Sequence, residues 1–255
     1  MGAATPTERV VRLTLAYDGT RFRGWAAQRD QRTVEGVLRD ALTRVCGPLP
    51  KLSVAGRTDA GVHARAQVAS FGGRGDLDLE RLQRSVNATL GPEVVVTDAR
   101  FAPQGFDARF SASAREYAYR LDVGDWPDPF DARFVWHRPG ELDLRAMRAA
   151  ARTLVGEHDF GSFGRRPQGG ASTVRHLARL AVARRGDRVE ITARANAFLQ
   201  QMVRSLVGTL VAVGEGAVSP STMPQILAAG DRAAAGRVAP PHGLTLERVV
   251  YGRRR

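Results

Sequence analysis

Alternating apolar and polar positions mark Val10–Tyr17 (VVRLTLAY) as a strand, rich in β-branched residues and stopped by Asp18-Gly19. The period then changes. Apolar residues at 34, 37, 38, 41, 42 and 45 predict a helix over Thr33–Cys46, with Thr33 as N-cap and Gly47-Pro48 as the stop. Lys51–Ala55 and Ala66–Phe71 read as short strands around a glycine-rich loop. Leu77–Leu90 reads as a second helix, closed by Gly91-Pro92, and Glu93–Arg100 as another strand. The order is β-α-β-β-α-β.

The second half repeats that order without repeating the sequence. Ser113–Val123 alternates as a strand, and Asp143–Val155 has helical spacing. Val174–Arg184 and Arg188–Ala195 form a predicted hairpin, turning at Arg185-Gly186-Asp187. Apolar residues at 198, 199, 202, 203, 206, 207, 210 and 211 predict a helix over Phe198–Val213. Pro220–Ala229 reads as a short helix and Leu244–Tyr251 as the last strand. Asp122–Phe134 is a turn-rich insertion. The pattern predicts an α+β protein of two ferredoxin-like βαββαβ halves, residues 8–104 and 105–255, joined near Phe101–Phe106. The expected core is a central mixed or antiparallel sheet, with a cleft between the halves.

Composition narrows the classes. The chain has 255 residues, 43% of them hydrophobic, which suits globular cores. One cysteine, Cys46, makes neither a disulfide nor a cysteine zinc site and reads as packing. No apolar run approaches the ~20 residues of a membrane span, and Met1–Arg9 lacks an apolar signal core. A cytoplasmic protein is expected. The net charge of +12 points to a polyanionic partner. Of 38 basic residues only Lys51 is lysine; the preference for arginine fits a codon bias, but the excess of positive charge does not reduce to it.

The segment Gly56-Arg57-Thr58-Asp59-Ala60-Gly61-Val62-His63-Ala64 is the most informative. Glycines on either side of Asp59 permit backbone conformations that push a side chain into a cleft. Arg57, two residues away, suits orienting a carboxylate, and an ionised Asp can serve as nucleophile or base. Spacing alone favours an ordinary turn held by an Arg–Asp pair, since Asp-Ala-Gly is common turn chemistry.

Beyond spacing, GRTDAGVHA followed by Gln67-Val68-Ala69-Ser70-Phe71 resembles the signature loop of the tRNA pseudouridine synthase A family. Tyr17-Asp18-Gly19-Thr20-Arg21-Phe22-Arg23-Gly24-Trp25-Ala26-Ala27-Gln28 is similar to the family's opening segment, with Ala26 where a Gln is usual. Thr33–Leu38, Phe106–Ala112, Arg115–Tyr119, Phe198–Arg204, Val207–Leu210 and Ala239–Leu244 resemble further family segments, in order, from about Val10 to Val250. The resemblance implies the pseudouridine synthase fold and an isomerase that converts uridine to pseudouridine at positions 38, 39 and 40 of the tRNA anticodon stem-loop. It implies no cofactor, no metal, and a homodimer acting on tRNA. Asp59 takes the place of the catalytic aspartate: attack at C1′, addition to the base and proton removal at C2′ all remain open. Arg57 takes the place of the arginine that admits the flipped base. Tyr117 takes that of the active-site tyrosine, which stacks on uracil, and Arg204 that of the arginine paired with the aspartate.

Extruding a paired uridine costs a few kcal/mol, which contacts to the RNA offset. The candidate phosphate contacts are Arg21, Arg23, Arg65, Arg109, and Arg165 and Arg166 in the loop Gly164–Gly170, read as a mobile flap; Arg253–Arg255 adds weak affinity. Trp25 is expected in the core with one exposed edge. His63, His137, His158, His176 and His242 lack metal-ligand spacing. Asp122, Asp125, Asp128 and Asp131 would have to hold a metal in a rival RNA hydrolase, but read as a solvated loop. A second rival is an RNA chaperone that kept the fold without the chemistry.

Overall fold

The computed structural model describes residues 7–49 and 51–252, so the arginine tail lies outside the described residues. The chain divides into two compact units. The first holds the described residues up to Ser113 together with those from Leu246 onward; the second runs from Ala114 to Thr245.

In the first unit, strand β1 (Glu8–Tyr17) alternates and sends Val11, Leu13, Leu15 and Tyr17 into the core. Helix α1 (Val34–Cys46) begins at Thr33, whose Oγ1 accepts the Gly36 N–H at 3.2 Å, and ends where Gly47 takes φ +80. Strands β2 (Ser53–Val54) and β3 (His63–Arg74) follow. Helix α2 (Leu79–Leu90) is capped by Asp78, which accepts the Arg81 N–H at 2.9 Å, and leads to β4 (Val94–Ala102).

Strand β1 lies antiparallel between β3 and β4: Leu13 faces Ala69 on one side and Ala99 on the other. Strand β2 pairs with the other edge of β3. Its order, β4-β1-β3-β2, is the ferredoxin-like arrangement that the pattern predicts. Leu38, Leu42, Leu82 and Val86 of the two helices are fully buried.

The second unit opens with β5 (Ala112–Asp122) and the two-residue β6 (Trp136–His137). Helix α3 (Leu144–Thr153) is capped by Asp143. Then come β7 (Gly156–Asp159), β8 (Val174–Arg185), β9 (Arg188–Ala195), α4 (Met202–Gly214) and α5 (Met223–Ala229). The antiparallel order β5-β9-β8 repeats β1-β3-β2, and β7 extends the edge beyond β8. The last strand, β10 (Leu244–Tyr251), pairs beside β3 and so falls mostly in the first unit.

Three details differ from the sequence pattern. Strands β6 and β7 are too short and too polar to register as periodic runs. Helix α4 starts at Met202, not Phe198, because Gln201 adopts φ +64 and breaks the approach. Phe198 and Leu199 are apolar for other reasons: Phe198 meets Tyr117, and Leu199 presses on Gly164, where a methyl would lie 2.3 Å from its Cβ. The insertion after β5 is organised by Arg188, not merely solvated. The Arg188 guanidinium lies 3.0 Å from Asp131, 3.5 Å from Asp122 and 3.9 Å from Asp128, so three of the four carboxylates that a metal would need already face a cation.

Leu13 is fully buried at the centre of the first sheet. Leu13→Ala is expected to cost ~2–5 kcal/mol through lost burial and the cavity left behind. Urea unfolding would show this as a lower midpoint with an unchanged m-value.

Candidate active site

Asp59 sits in the loop between β2 and β3, and the backbone fixes its setting. The Val62 N–H donates to the Asp59 carbonyl at 3.2 Å, closing a four-residue turn. Gly61, third in the turn, has φ +77, as a type II turn requires. Asp59 is therefore the first residue of a tight turn, half-buried, with Arg57 exposed two residues earlier.

The segment after β1 clamps this turn on both sides. Before Asp59, the Trp25 N–H donates to the Thr58 carbonyl at 3.0 Å, and the Thr58 hydroxyl meets the Tyr17 hydroxyl at 2.8 Å. Gln67, on β3, donates from Nε2 to the Gly56 carbonyl at 2.7 Å and to the Tyr17 hydroxyl at 3.3 Å. After Asp59, the Gly61 N–H reaches the Phe22 carbonyl at 3.3 Å, and the Gly19 N–H donates to His63 Nδ1 at 3.0 Å.

The approach tolerates only glycine at two places. A methyl on Gly19 would lie 2.1 Å from the Val62 carbonyl oxygen. One on Gly24, which has φ +94, would lie 2.9 Å from that of Thr58. Trp25 is fully buried beneath the clamp, with no exposed edge. Tyr17 is fully enclosed too, and burial pushes its hydroxyl up to about 12, against the lowering pull of its bonds to Thr58 and Gln67.

Tyr117 and Arg204 belong to the second unit. Tyr117 is buried on β5, with its ring edge-on to Phe198 at 5.3 Å. Tyr119, two residues on, is a core residue: its hydroxyl donates to the Pro240 carbonyl at 2.8 Å, and burial raises it well above the usual tyrosine range.

Arg204 is half-buried on α4, a helix buried nearly all round and not along a single stripe as its sequence suggests. The segment Gly236–Ala239 covers its remaining face. A methyl on Gly208 would meet the Arg237 carbonyl oxygen at 1.6 Å, and the Gly236 N–H donates to Thr209 Oγ1 at 2.9 Å. That contact places Ala239, whose carbonyl accepts Arg204 Nε at 2.7 Å and whose N–H donates to the Arg204 carbonyl at 3.1 Å. Nearby, burial lowers His242 below the usual histidine range, opposed by a backbone bond at Val135 and helped by the Arg204 charge.

The candidate phosphate contacts are all exposed. Arg21 lies 3.7 Å from Glu93, and Arg65 lies 3.6 Å from Glu247. Arg23 is placed by its backbone N–H, which donates to the Arg32 carbonyl at 2.9 Å. Arg109 stands 5.3 Å from the exposed ring of Phe110. Arg165 is fixed by its N–H to the Gln200 carbonyl at 3.0 Å. Arg166 lines a cavity of about 390 Å³ with Gly161, Gly164, Gly230, Asp231 and Arg232.

The structure thus brings Asp59 and Arg57 together in one unit, and Tyr117, Phe198 and Arg204 each into place in the other. It also shows what the sequence reading passed over. Tyr17, His63 and Gln67 lie inside the segments that resemble the family, but their contacts across the clamp link positions 41 to 50 residues apart and leave no local signal.

Comparison with known proteins agrees with the motifs. A family model described as tRNA pseudouridine synthase matches residues 14–111 and 150–252. The tRNA pseudouridine synthase A of Frankia casuarinae is 50% identical over 247 residues, covering 94% of this chain and 89% of its own. That of Streptomyces avermitilis is 47% identical over 252 residues, covering 94% and 87%. That of Mesorhizobium japonicum is 43% identical over 243 residues, covering 94% and 98%.

Tyr17→Phe is expected to destabilise the fold by ~1–3 kcal/mol, because Thr58 loses a buried partner. Tyr17 is raised from 10.0 to about 12, so its contribution is complete below pH 10 and disappears as pH climbs toward 12. Thermal unfolding across that range should show the variant losing less stability than the parent.

Proposed function

Because the chain belongs to the tRNA pseudouridine synthase family, we propose that it isomerises uridine to pseudouridine at positions 38, 39 and 40 of the tRNA anticodon stem-loop. The observation that carries the assignment is the clamped turn, which holds one half-buried carboxylate, Asp59, on a backbone with little freedom. In the reaction the N1–C1′ bond breaks, the uracil turns, and C5 bonds to C1′. C5 gives up its proton and N1 gains one, so the change is an isomerisation with no net loss of atoms.

Asp59 is the catalytic carboxylate in this proposal. Tyr117 supplies a ring face for the displaced uracil, Arg57 admits it, and Arg204 has the charge-pairing role that the family resemblance gives it. The exposed arginines 21, 23, 65, 109, 165 and 166 hold RNA phosphates. The protein acts in the cytoplasm as a homodimer. Sedimentation at micromolar concentration checks the dimer, and a monomer with full activity would remove that part of the proposal.

Two measurements test the assignment. With tRNA carrying tritium at uracil C5, the wild-type protein should release label, and Asp59→Asn should release none while binding tRNA within a few-fold of wild type, since affinity comes mainly from backbone contacts. Label released by the variant would exclude Asp59. Affinity should also fall steeply with salt, at a slope of roughly −0.7 to −0.9 per neutralised phosphate. A flat dependence would contradict the part given to the arginines.

A further inference from the structure

The residue next to the Asp59 turn is built into the clamp in a way that fixes its proton. His63 is almost wholly buried, at 2% exposure. Its Nδ1 lies 3.0 Å from the Gly19 nitrogen and 3.2 Å from Asp18 Oδ1. In accepting the Gly19 N–H, Nδ1 offers its lone pair, and a neutral ring in that arrangement carries its proton on Nε2. The same Asp18 oxygen accepts the Thr20 N–H at 3.0 Å and the Thr20 hydroxyl at 2.5 Å. Asp18 Oδ1 thus holds Thr20 as well as standing beside His63 Nδ1, and the Gly19 N–H is the backbone donor to that nitrogen.

Gly19 cannot follow a displaced partner. Its Cα faces the Val62 carbonyl so closely that a methyl would stand 2.1 Å from the oxygen. Val62 in turn closes the turn onto the Asp59 carbonyl. The chain of constraint runs from Gly19 to His63, to Val62, to Asp59, over backbone with no slack.

We propose that His63 is a positioning residue for the isomerisation: through the acceptor at Nδ1 it pins the C-terminal end of the Asp59 turn and so sets where the carboxylate points. The proposal rests on Asp59 being the catalytic carboxylate. A misplacement of about 1 Å at a reacting group costs roughly 10²-fold in rate, so the effect belongs in kcat.

The test compares two amides. In His63→Asn the amide oxygen stands as many bonds from Cβ as Nδ1 does, and it accepts the Gly19 N–H. In His63→Gln the oxygen lies one bond farther out, at similar bulk. Tritium release from C5-labelled tRNA is measured under single-turnover conditions, with tRNA affinity and Tm in parallel and Asp59→Asn beside them. The expected result is a single-turnover rate constant for Gln about 10²-fold below wild type, with Asn at least tenfold above Gln and the two alike in affinity and Tm. Equal activity in the two amides, high or low, overturns the proposal. So does a loss in Gln that tracks affinity or Tm, since that marks a merely structural residue. If Asp59→Asn releases label, the assignment of Asp59 fails and this inference with it. If Asp59→Asn is inactive while Gln is fully active, only this inference fails.

Discussion

The first unit's site depends on one close backbone approach, where the segment following β1 lies against the turn that carries Asp59. Two glycines with no room for a methyl, Gly19 and Gly24, make the approach possible. Backbone donors from Gly19, Trp25 and Gly61 span the join. Each such bond is worth only about 0.5–1.5 kcal/mol net, so stability alone does not explain why so many gather here. Their shared effect is geometric. A turn held at Thr58, Gly61 and His63 has few ways to rock, and a carboxylate mounted on it inherits that rigidity. Tyr17 and Gln67 hold the entry to the turn from the strands below, so the sheet and the loop position Asp59 as one body.

The second unit places its arginine by the same device. Helix α4 is buried nearly all round, which a helix carrying an arginine and a threonine manages only if its polar groups find partners. Gly208 and Gly236 bring the covering segment within reach, Thr209 takes the Gly236 N–H, and Ala239 ties Arg204 through both side chain and backbone. A glycine in mid-helix is disfavoured by about 1 kcal/mol against alanine. Gly208 is there because the neighbouring carbonyl oxygen would lie 1.6 Å from a methyl.

Much of this was legible in the sequence where local chemistry and long-range packing agree. Thr33 caps α1, Gly47 ends it, and β10 runs from Leu244 to Tyr251 as its pattern says. Around Asp59 the glycines announce a tight turn, which the structure has, while the family resemblance of GRTDAGVHA singled the segment out as a candidate site. The pattern misled where burial had a tertiary cause. Phe198 and Leu199 look helical because they are apolar at the right spacing, but Phe198, half-buried, packs on Tyr117 and Leu199, buried, packs on Gly164 before the helix starts. The apolar spacing of α4 does not show that Arg204 is covered, because the segment that covers its face lies some 30 residues downstream. His63 lacks metal-ligand spacing in the sequence, and its contacts to the Gly19 N–H and to Asp18 come from a segment some 44 positions away in the chain.

The arginines divide along a related line, and the division bears on how RNA is held. Those that shape the protein are tightly engaged: Arg204 on a carbonyl at 2.7 Å, Arg32 on Glu93 at 2.6 Å, and Arg188 among three aspartates. Arg21 and Arg65 are mostly exposed, and their carboxylates stand 3.7 and 3.6 Å away. Exposed pairs of that kind contribute ~0–1 kcal/mol, so the phosphate contacts proposed for these arginines would replace a carboxylate at little cost. Glu93 in particular keeps Arg32 when Arg21 leaves, and no buried charge is orphaned. A net charge of +12 then acts through groups already poised to change partners, while the groups that aim Asp59 are held by uncharged bonds that salt does not screen. Ionic strength should therefore govern how much RNA is bound and leave the geometry of the turn alone.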